Sequence, residues 1–168
     1  MPLLPICLFP DPILRQRSKP ADWKAPDTQR LIRNLAETLY RQRGGIGIAA
    51  PQVGVTLRVV LIDVSARDPS KHIIAMINPL ILNTDGHTIS REGCMSLPDY
   101  TANLLRATTV VVSWIDPAGK PHSKHASGIE AICIQHELDH LNGALFIDRV
   151  SSLKTDVFPR VARRSSMA

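Results

Sequence analysis

Cysteine, aromatic side chains and long apolar runs are all scarce in this 168-residue chain. The three cysteines (Cys7, Cys94 and Cys133) are odd in number and far apart, so we expect no disulfide framework and a reducing compartment. No apolar run reaches the ~18 residues that a membrane-spanning helix needs. The N-terminal residues lack a basic stretch and contain several prolines, unlike a signal peptide, and early acidic residues are unlike a transit peptide. We therefore predict a cytoplasmic protein.

The composition is that of a folded protein, with 44% hydrophobic and 21% charged residues. A length of 168 residues suits one domain, and no repeat or linker divides residues 1–168. Part of the net charge of +5 lies in a basic tail over residues 153–168, with Lys154, Arg160, Arg163 and Arg164. Such a tail is either a solvated end or a weak contact with the ribosome. No basic stripe with interleaved aromatics indicates direct nucleic-acid specificity.

The sequence predicts two helices. The first covers residues 28–43, with Asp27 as its N-cap and leucines at positions 31, 35 and 39 on one face. The second covers residues 127–142, where Ser127 and Glu130 have the spacing of a capping box. Short runs of β-forming residues lie between them, at 58–64, 72–78, 87–90 and 108–115. We predict an α+β fold in which short mixed or antiparallel sheets pack around the second helix.

The second helix carries the pattern His136-Glu137-Leu138-Asp139-His140. Two histidines four positions apart lie on the same face of a helix, about one turn from each other, so both rings can reach one cation. Glu137 lies about 100° around the helix from His136 and can serve a metal-bound water without binding the metal. The pattern therefore predicts a catalytic metal site, which needs a third protein ligand and an open fourth position.

The third ligand is expected upstream of this helix. No His or Glu follows His140, and a metzincin-like ligand position is occupied by Phe146. Cys133 is about 10 Å from residue 140 along the helix axis, too far for its short thiol to share the metal. Cys94 is the strongest candidate, because a thiolate and two imidazoles suit soft or borderline divalent metals such as zinc and ferrous iron.

Three separated stretches resemble the signature motifs of the peptide deformylases, in the same order and with the same spacing. They are Gly-Ile-Gly-Ile-Ala-Ala-Pro-Gln at 45–52, Glu-Gly-Cys-Met-Ser-Leu-Pro at 92–98 and Gln-His-Glu-Leu-Asp-His at 135–140. The flanking stretches at 11–15 and 145–149 are also similar to this family. The resemblance covers nearly the whole chain, from about residue 7 to 152.

The resemblance implies a hydrolase that removes the N-formyl group from the N-terminal formylmethionine of nascent polypeptides and releases formate. It implies one divalent metal ion, natively Fe²⁺, with Zn²⁺ or Ni²⁺ as substitutes. The implied metal ligands are Cys94, His136 and His140. The resemblance implies that Glu137 is the general acid and base. It also implies that the Gln52 side chain and the Met95 backbone N–H form an oxyanion hole.

The resemblance also implies a pocket for the substrate's methionine side chain. Its residues are Gly45, Ile46, Gly47, Ile129 and Cys133. Many family members carry an arginine after the second motif that holds the substrate's peptide backbone, but this chain has Thr101 there. The sequence leaves open whether Arg106 compensates. Asp139 is expected to support the site without binding the metal.

Two alternatives compete with this interpretation. A metallopeptidase could use the same helix, but it would need a His or Glu ligand downstream, and neither is present. A structural metal site or binding module would need a closed sphere of four ligands. The sequence instead offers three good ligands and Glu137, which suits an open site.

Overall fold

The computed structural model describes residues 4–42 and 44–160. Two longer helices, α1 (Pro26–Arg41) and α2 (Gly128–Leu141), and a one-turn helix, α3 (Leu153–Asp156), accompany eight strands within these residues. The strands are β1 (Gly47–Ala49), β2 (Val59–Ile62), β3 (Ile74–Asp85), β4 (Thr88–Cys94), β5 (Leu97–Arg106), β6 (Thr109–Ile115), β7 (Pro121–Ser127) and β8 (Val157–Pro159). This is the α+β architecture that the sequence predicts.

The strands form two sheets, a larger one with the order β1-β2-β3-β6-β7 and a smaller one with the order β4-β5-β8. All neighbouring strands in these sheets are antiparallel. The only parallel pairing in the described part of the chain is an isolated bridge between Lys19 and Leu57. Helix α2 packs on the larger sheet and is hydrogen-bonded to side chains of the smaller one.

Strand β2 shows how the larger sheet is covered on both faces. Its four residues are all buried: Val60 and Ile62 belong to the cluster around α2, whereas Val59 and Leu61 belong to the cluster around α1. Successive strand side chains point to opposite faces, so a continuous apolar run fits a sheet with a helix on each side. Helix α1 supplies the leucines predicted for its apolar face, Leu31, Leu35 and Leu39, and all are buried.

Helix α1 begins two residues earlier than predicted. Its N-cap is Ala25 and Pro26 occupies the first turn, where a missing N–H costs nothing. Asp27 is therefore inside the helix, paired with Arg30, and its predicted N-cap role is wrong. The helix ends at Arg41, and the predicted end at residue 43 lies outside the described residues.

Ser127 is the N-cap of α2, as predicted, but the capping box is wrong. The Ser127 side chain makes no capping hydrogen bond. Glu130 is buried and instead accepts hydrogen bonds from Lys71 at 3.1 Å and Lys124 at 2.5 Å. Two ammonium groups offer this carboxylate more than a backbone N–H could, because charge-assisted hydrogen bonds are the stronger ones.

Strand β3 runs well past its predicted end at Asn78. Asn78 adopts φ 52°, and its side chain bonds both the N–H and the carbonyl of Ala21, at 2.8 and 2.9 Å. The register with β6 shifts here, so the irregularity is a bulge that lets the strand continue to Asp85. The sequence analysis also missed β1, β5, β7 and β8, which are short, polar or interrupted by proline.

None of the helices within residues 4–42 and 44–160 is both long and apolar enough to span a membrane. The predicted basic tail is described as far as Arg160, and its first part forms α3 and β8, which pairs with β5. The remainder, including Arg163 and Arg164, lies outside the described residues.

Candidate active site

Cys94, His136 and His140 come together, although the histidines are on α2 and the cysteine ends β4. One possible ligand atom from each residue lies within 4.8 Å of the other two. Cys94 Sγ is 3.2 Å from His140 Nε2, and the two imidazole centroids are 5.1 Å apart. His140 Nδ1 is buried without a hydrogen-bond partner in the described part of the chain. The three residues can therefore hold one ion between the helix and the smaller sheet.

The connection between β4 and β5 puts Cys94 at the turn of a hairpin. The pairing is regular up to Gly93 opposite Thr101, and then shifts so that Cys94 lies opposite Leu97. This irregularity ends the ladder at the cysteine. Because the hairpin turns there, its side chain is available to α2.

The Cys94 sulfur has donors and cations around it. Ser96 N and Gln52 Nε2 donate to Sγ at 3.4 and 3.5 Å. Burial raises the pKa of Cys94, but the charges and hydrogen bonds of His140 and His136 outweigh it and bring that pKa well below its ordinary value. The thiolate is the form that binds metals. A thiolate with two imidazoles fits a soft or borderline divalent ion.

A buried ionic network fixes His136. Its Nδ1 lies 2.8 Å from Glu92 Oε2, and Glu92 accepts two further hydrogen bonds from Arg106, at 2.8 and 2.9 Å. Arg106 also donates to Asp139 at 2.7 Å, and Arg149 donates to both Asp139 oxygens. A carboxylate on the second nitrogen of a histidine orients the ring toward a metal. Asp139 thus supports the site, as the sequence analysis expects.

The network shows that Arg106 has a structural role. Arg106 is 3% exposed and committed to two carboxylates, so it does not compensate for Thr101. Burial raises the pKa of Glu92, but hydrogen bonds from Arg106 and His136 bring it down to about 2. The role of Glu92 was not predicted from the sequence. The available signal was its place in the second motif, two residues before Cys94.

Glu137 is buried next to His136, and its Oε2 has no hydrogen-bond partner among residues 4–42 and 44–160. Burial raises its pKa to about 7. Gly47 of β1 faces it so closely that an added Cβ would lie 2.6 Å from Glu137 Oε1 and 2.7 Å from Cys133 Sγ. Only glycine fits between β1 and this part of α2.

Gln52 is fully buried and its amide orientation is fixed from both ends. Its Oε1 accepts a hydrogen bond from Ala49 N at 2.9 Å, which leaves Nε2 directed at Cys94 and at Ser96 Oγ, 3.3 Å away. Met95 follows Cys94 in the hairpin and is partly buried. The structure thus brings both predicted oxyanion-hole residues beside the candidate metal ligands.

A cleft of about 310 Å³ opens beside His136 and Glu137. The predicted pocket residues all line it: Gly45, Ile46, Gly47, Ile129 and Cys133. The Cys133 thiol donates to the Ile46 carbonyl at 3.2 Å, and burial raises its pKa well above the ordinary value. The cleft wall there is uncharged, which suits an apolar side chain.

The rim of the cleft carries arginines that the sequence analysis did not assign to it. They are Arg67, Arg91 and Arg160. A second concavity of about 590 Å³ adjoins the cleft, because the two share Gly44, Gly45, Met95 and Arg160 in their walls. The cleft beside His136 and Glu137 therefore continues into this second concavity.

The family of the chain is settled by comparison with known proteins. The family model for polypeptide deformylase matches residues 3–156. This chain belongs to the polypeptide deformylase family. The peptide deformylase of Thermodesulfovibrio yellowstonii is 42% identical over 158 residues, covering 94% of this chain and 95% of the relative. That of Rhizobium meliloti is 40% identical over 161 residues, covering 95% and 92% of the two chains.

Solved deformylase structures agree with the fold. The peptide deformylase of Legionella pneumophila has a TM-score of 0.84 and 39% identity, and the match covers 91% of this chain and 89% of that one. The enzyme from Synechococcus elongatus in complex with actinonin also has a TM-score of 0.84, with 37% identity over 92% of this chain and 82% of that one. At these identities the likeness extends beyond the fold to the family.

Deformylases are metal-dependent enzymes that remove the N-formyl group from nascent polypeptides. The predicted enzyme class and reaction are therefore confirmed. The metallopeptidase and the non-catalytic alternatives are set aside. A candidate site of one cysteine and two histidines is present for the metal that such an enzyme requires.

Proposed function

We propose that this deformylase binds one divalent ion through Cys94, His136 and His140, natively Fe²⁺, with Zn²⁺ or Ni²⁺ as substitutes. One observation carries the proposal. The three candidate ligand atoms lie within 4.8 Å of one another, next to a buried glutamate with one oxygen that has no partner among residues 4–42 and 44–160. When bound, such an ion makes a water nucleophilic near neutral pH and polarises the formyl carbonyl.

Glu137 is proposed as the general base and acid. Its Oε2, which has no hydrogen-bond partner in the described part of the chain, would accept the proton of the attacking water and then give it to the leaving amine of the methionine. A pKa near 7 suits both transfers, because the group can exist in either form at neutral pH. The approach of Gly47 holds the carboxyl group in place.

Gln52 and the Met95 backbone N–H are proposed to stabilise the oxyanion. The Gln52 Nε2 group is already oriented by the bond between Oε1 and Ala49 N, so no reorganisation is needed during the reaction. Losing one such donor typically costs roughly 10²–10³ in rate.

The methionine side chain is proposed to pack against the wall formed by Ile46, Ile129 and the neutral Cys133 thiol. Gly45 and Gly47 lack side chains, so the substrate's main chain can come close to the backbone of residues 45–47. An apolar pocket of this kind favours a methionine side chain over a charged side chain.

We further propose that the chain works as one domain in the bacterial cytoplasm, where formylated nascent chains emerge. Weak ribosome contact through the basic tail, with no direct nucleic-acid specificity, also stays a proposal. Its support is the charge of Lys154 and Arg160 and of Arg163 and Arg164, which lie outside the described residues.

The decisive experiment is anaerobic purification, metal analysis and a formate-release assay. We expect one divalent ion per chain and formate released from formyl-Met-Ala-Ser. We expect no hydrolysis of acetyl-Met-Ala-Ser, because its extra methyl group is too large for the same confined site. Chelation should abolish activity and Fe²⁺ should restore it.

A chain that holds its metal but releases no formate would contradict the proposal. It would favour a structural metal site. Activity that survives complete metal removal would contradict the assigned ligands.

A further inference from the structure

The strand β8 brings an arginine to the mouth of the active-site cleft. Strand β8 pairs with the beginning of β5, with Thr101 opposite Phe158 and Tyr100 opposite Pro159. The ladder is extended by Arg160 N, which donates to the Asp99 carbonyl at 2.7 Å. Position 160 is therefore fixed by backbone hydrogen bonds beside the hairpin that carries Cys94.

Side chains reinforce this pairing. The Arg91 guanidinium lies over the Phe158 ring, 3.9 Å from its centroid, and Arg91 Nε donates to Thr101 Oγ1 at 3.0 Å. Arg91 is thus used to fasten β8, and Thr101 is used as its acceptor.

Arg160 differs from Arg91 because, within residues 4–42 and 44–160, its guanidinium has no hydrogen-bond, ion-pair or ring partner, whereas that of Arg91 bonds Thr101 and lies over Phe158. The side chain is exposed and lies directly over Gly93, where an added Cβ would overlap the guanidinium. It lines both the cleft that contains His136 and Glu137 and the adjoining concavity. Its N–H donors therefore face the space between the methionine pocket and the next part of the site.

We propose that Arg160 binds the substrate's main chain by donating hydrogen bonds to carbonyl oxygens of the residues that follow the formylmethionine. The inference rests on the proposed function of the cleft. A guanidinium offers several donors in a fixed fork and suits peptide carbonyls in extended chains. Arg160, positioned by strand β8, thereby makes the interaction that Thr101 cannot make.

The test compares a long and a short substrate. Formyl-Met-Ala-Ser has carbonyl groups beyond the methionine, whereas formyl-methionine amide has none. For Arg160→Ala we expect KM for the tripeptide to rise about tenfold with kcat within about twofold, because one charge-assisted hydrogen bond is lost. With the amide, kcat/KM should stay within about twofold. Arg160→Lys, which keeps a cationic donor, should recover part of the affinity.

Arg67→Ala is the matched control, since it removes the same charge from the same rim at a position that we give no part in binding. It should change KM for the tripeptide by less than about twofold. An unchanged KM in Arg160→Ala, an equal loss with both substrates, or an equal effect of Arg67→Ala would each overturn the inference.

A wild-type enzyme inactive on both substrates would contradict the proposed function rather than the role of Arg160. Calorimetric binding of formyl-Met-Ala-Ser to wild type and Arg160→Ala would then decide the inference. We expect about tenfold weaker binding by the variant, and equal binding would overturn it.

Discussion

Glu92 on β4 and Glu137 on α2 are both buried beside the candidate metal ligands, with 7% and 4% of their surface exposed. Glu92 accepts hydrogen bonds from Arg106 and lies against His136 Nδ1, whereas Glu137 Oε2 has no partner within the described residues. Burial raises the pKa of both, but the partners bring that of Glu92 down to about 2 while that of Glu137 reaches about 7. Burial lets Glu137 carry a proton near neutral pH, whereas the hydrogen-bond partners of Glu92 overcome the same burial and keep it ionised.

The two buried cysteines extend this comparison and give the largest expected effect. We expect Cys94→Ala to lose the metal and to lower kcat/KM on the order of 10⁴-fold, because a bound ion contributes several kcal/mol to this kind of chemistry. Cys133→Ala is the matched control. It should keep one ion per chain and lose no more than about tenfold in kcat/KM, since its thiol donates to the Ile46 carbonyl and is not one of the candidate metal ligands. Elemental analysis and formate release measure both, and equal metal loss in the two variants would refute the assignment.

Glu137→Gln tests the unpartnered half of the comparison. We expect kcat/KM to fall about 10³-fold with the metal content unchanged, because the amide keeps the shape of the side chain but cannot carry the proton. Glu130→Gln is the matched control, a buried glutamate on the same helix whose charge is already neutralised by Lys71 and Lys124. Its kcat/KM should stay within about twofold. Appreciable formate release by Glu137→Gln would remove the general base from the mechanism even with the metal in place.

Arg106→Met tests the glutamate that has partners, Glu92. The change leaves Glu92 and Asp139 buried with a partner removed, so we expect the free energy of unfolding to fall by about 3–5 kcal/mol in urea titrations. Metal affinity should weaken by roughly 10–100-fold, because Glu92 no longer holds His136 as firmly. Arg30→Met removes an exposed pair with Asp27 and should cost at most about 0.5 kcal/mol. If the two variants lose equal stability, the buried network contributes no more to the free energy of unfolding than an exposed ion pair does.

The sequence predicted the parts of the site that depend on local spacing. His136 and His140 share a helix face because of their four-residue separation, and Cys94 followed from the absence of any His or Glu downstream. Gln52 and Met95 came from the resemblance alone. Cys94 and His140 are far apart in sequence, and no local pattern reports that their side chains meet.

What the sequence did not reveal depends on long-range pairing. Strand β8 has no apolar alternation and is defined by its partner β5, so the position of Arg160 could not be seen from the residues. Glu130 fitted a capping box locally, yet Lys71 and Lys124 reach it from elsewhere in the fold. Helix α2 was predicted for the opposite reason, since its N-cap Ser127 and the spacing of His136 and His140 are contained in one stretch.

The candidate ligands come from two parts of the fold, the β4–β5 hairpin and the helix under the larger sheet. An ion bound there acts as a cross-link that exists only when both parts are docked, so its binding energy adds to the stability of the complete fold. At a free concentration about 1,000 times Kd the gain is about 4 kcal/mol. We therefore expect metal supply to set how long the folded enzyme survives as well as how fast it works, with the metal-free chain the most exposed to proteolysis.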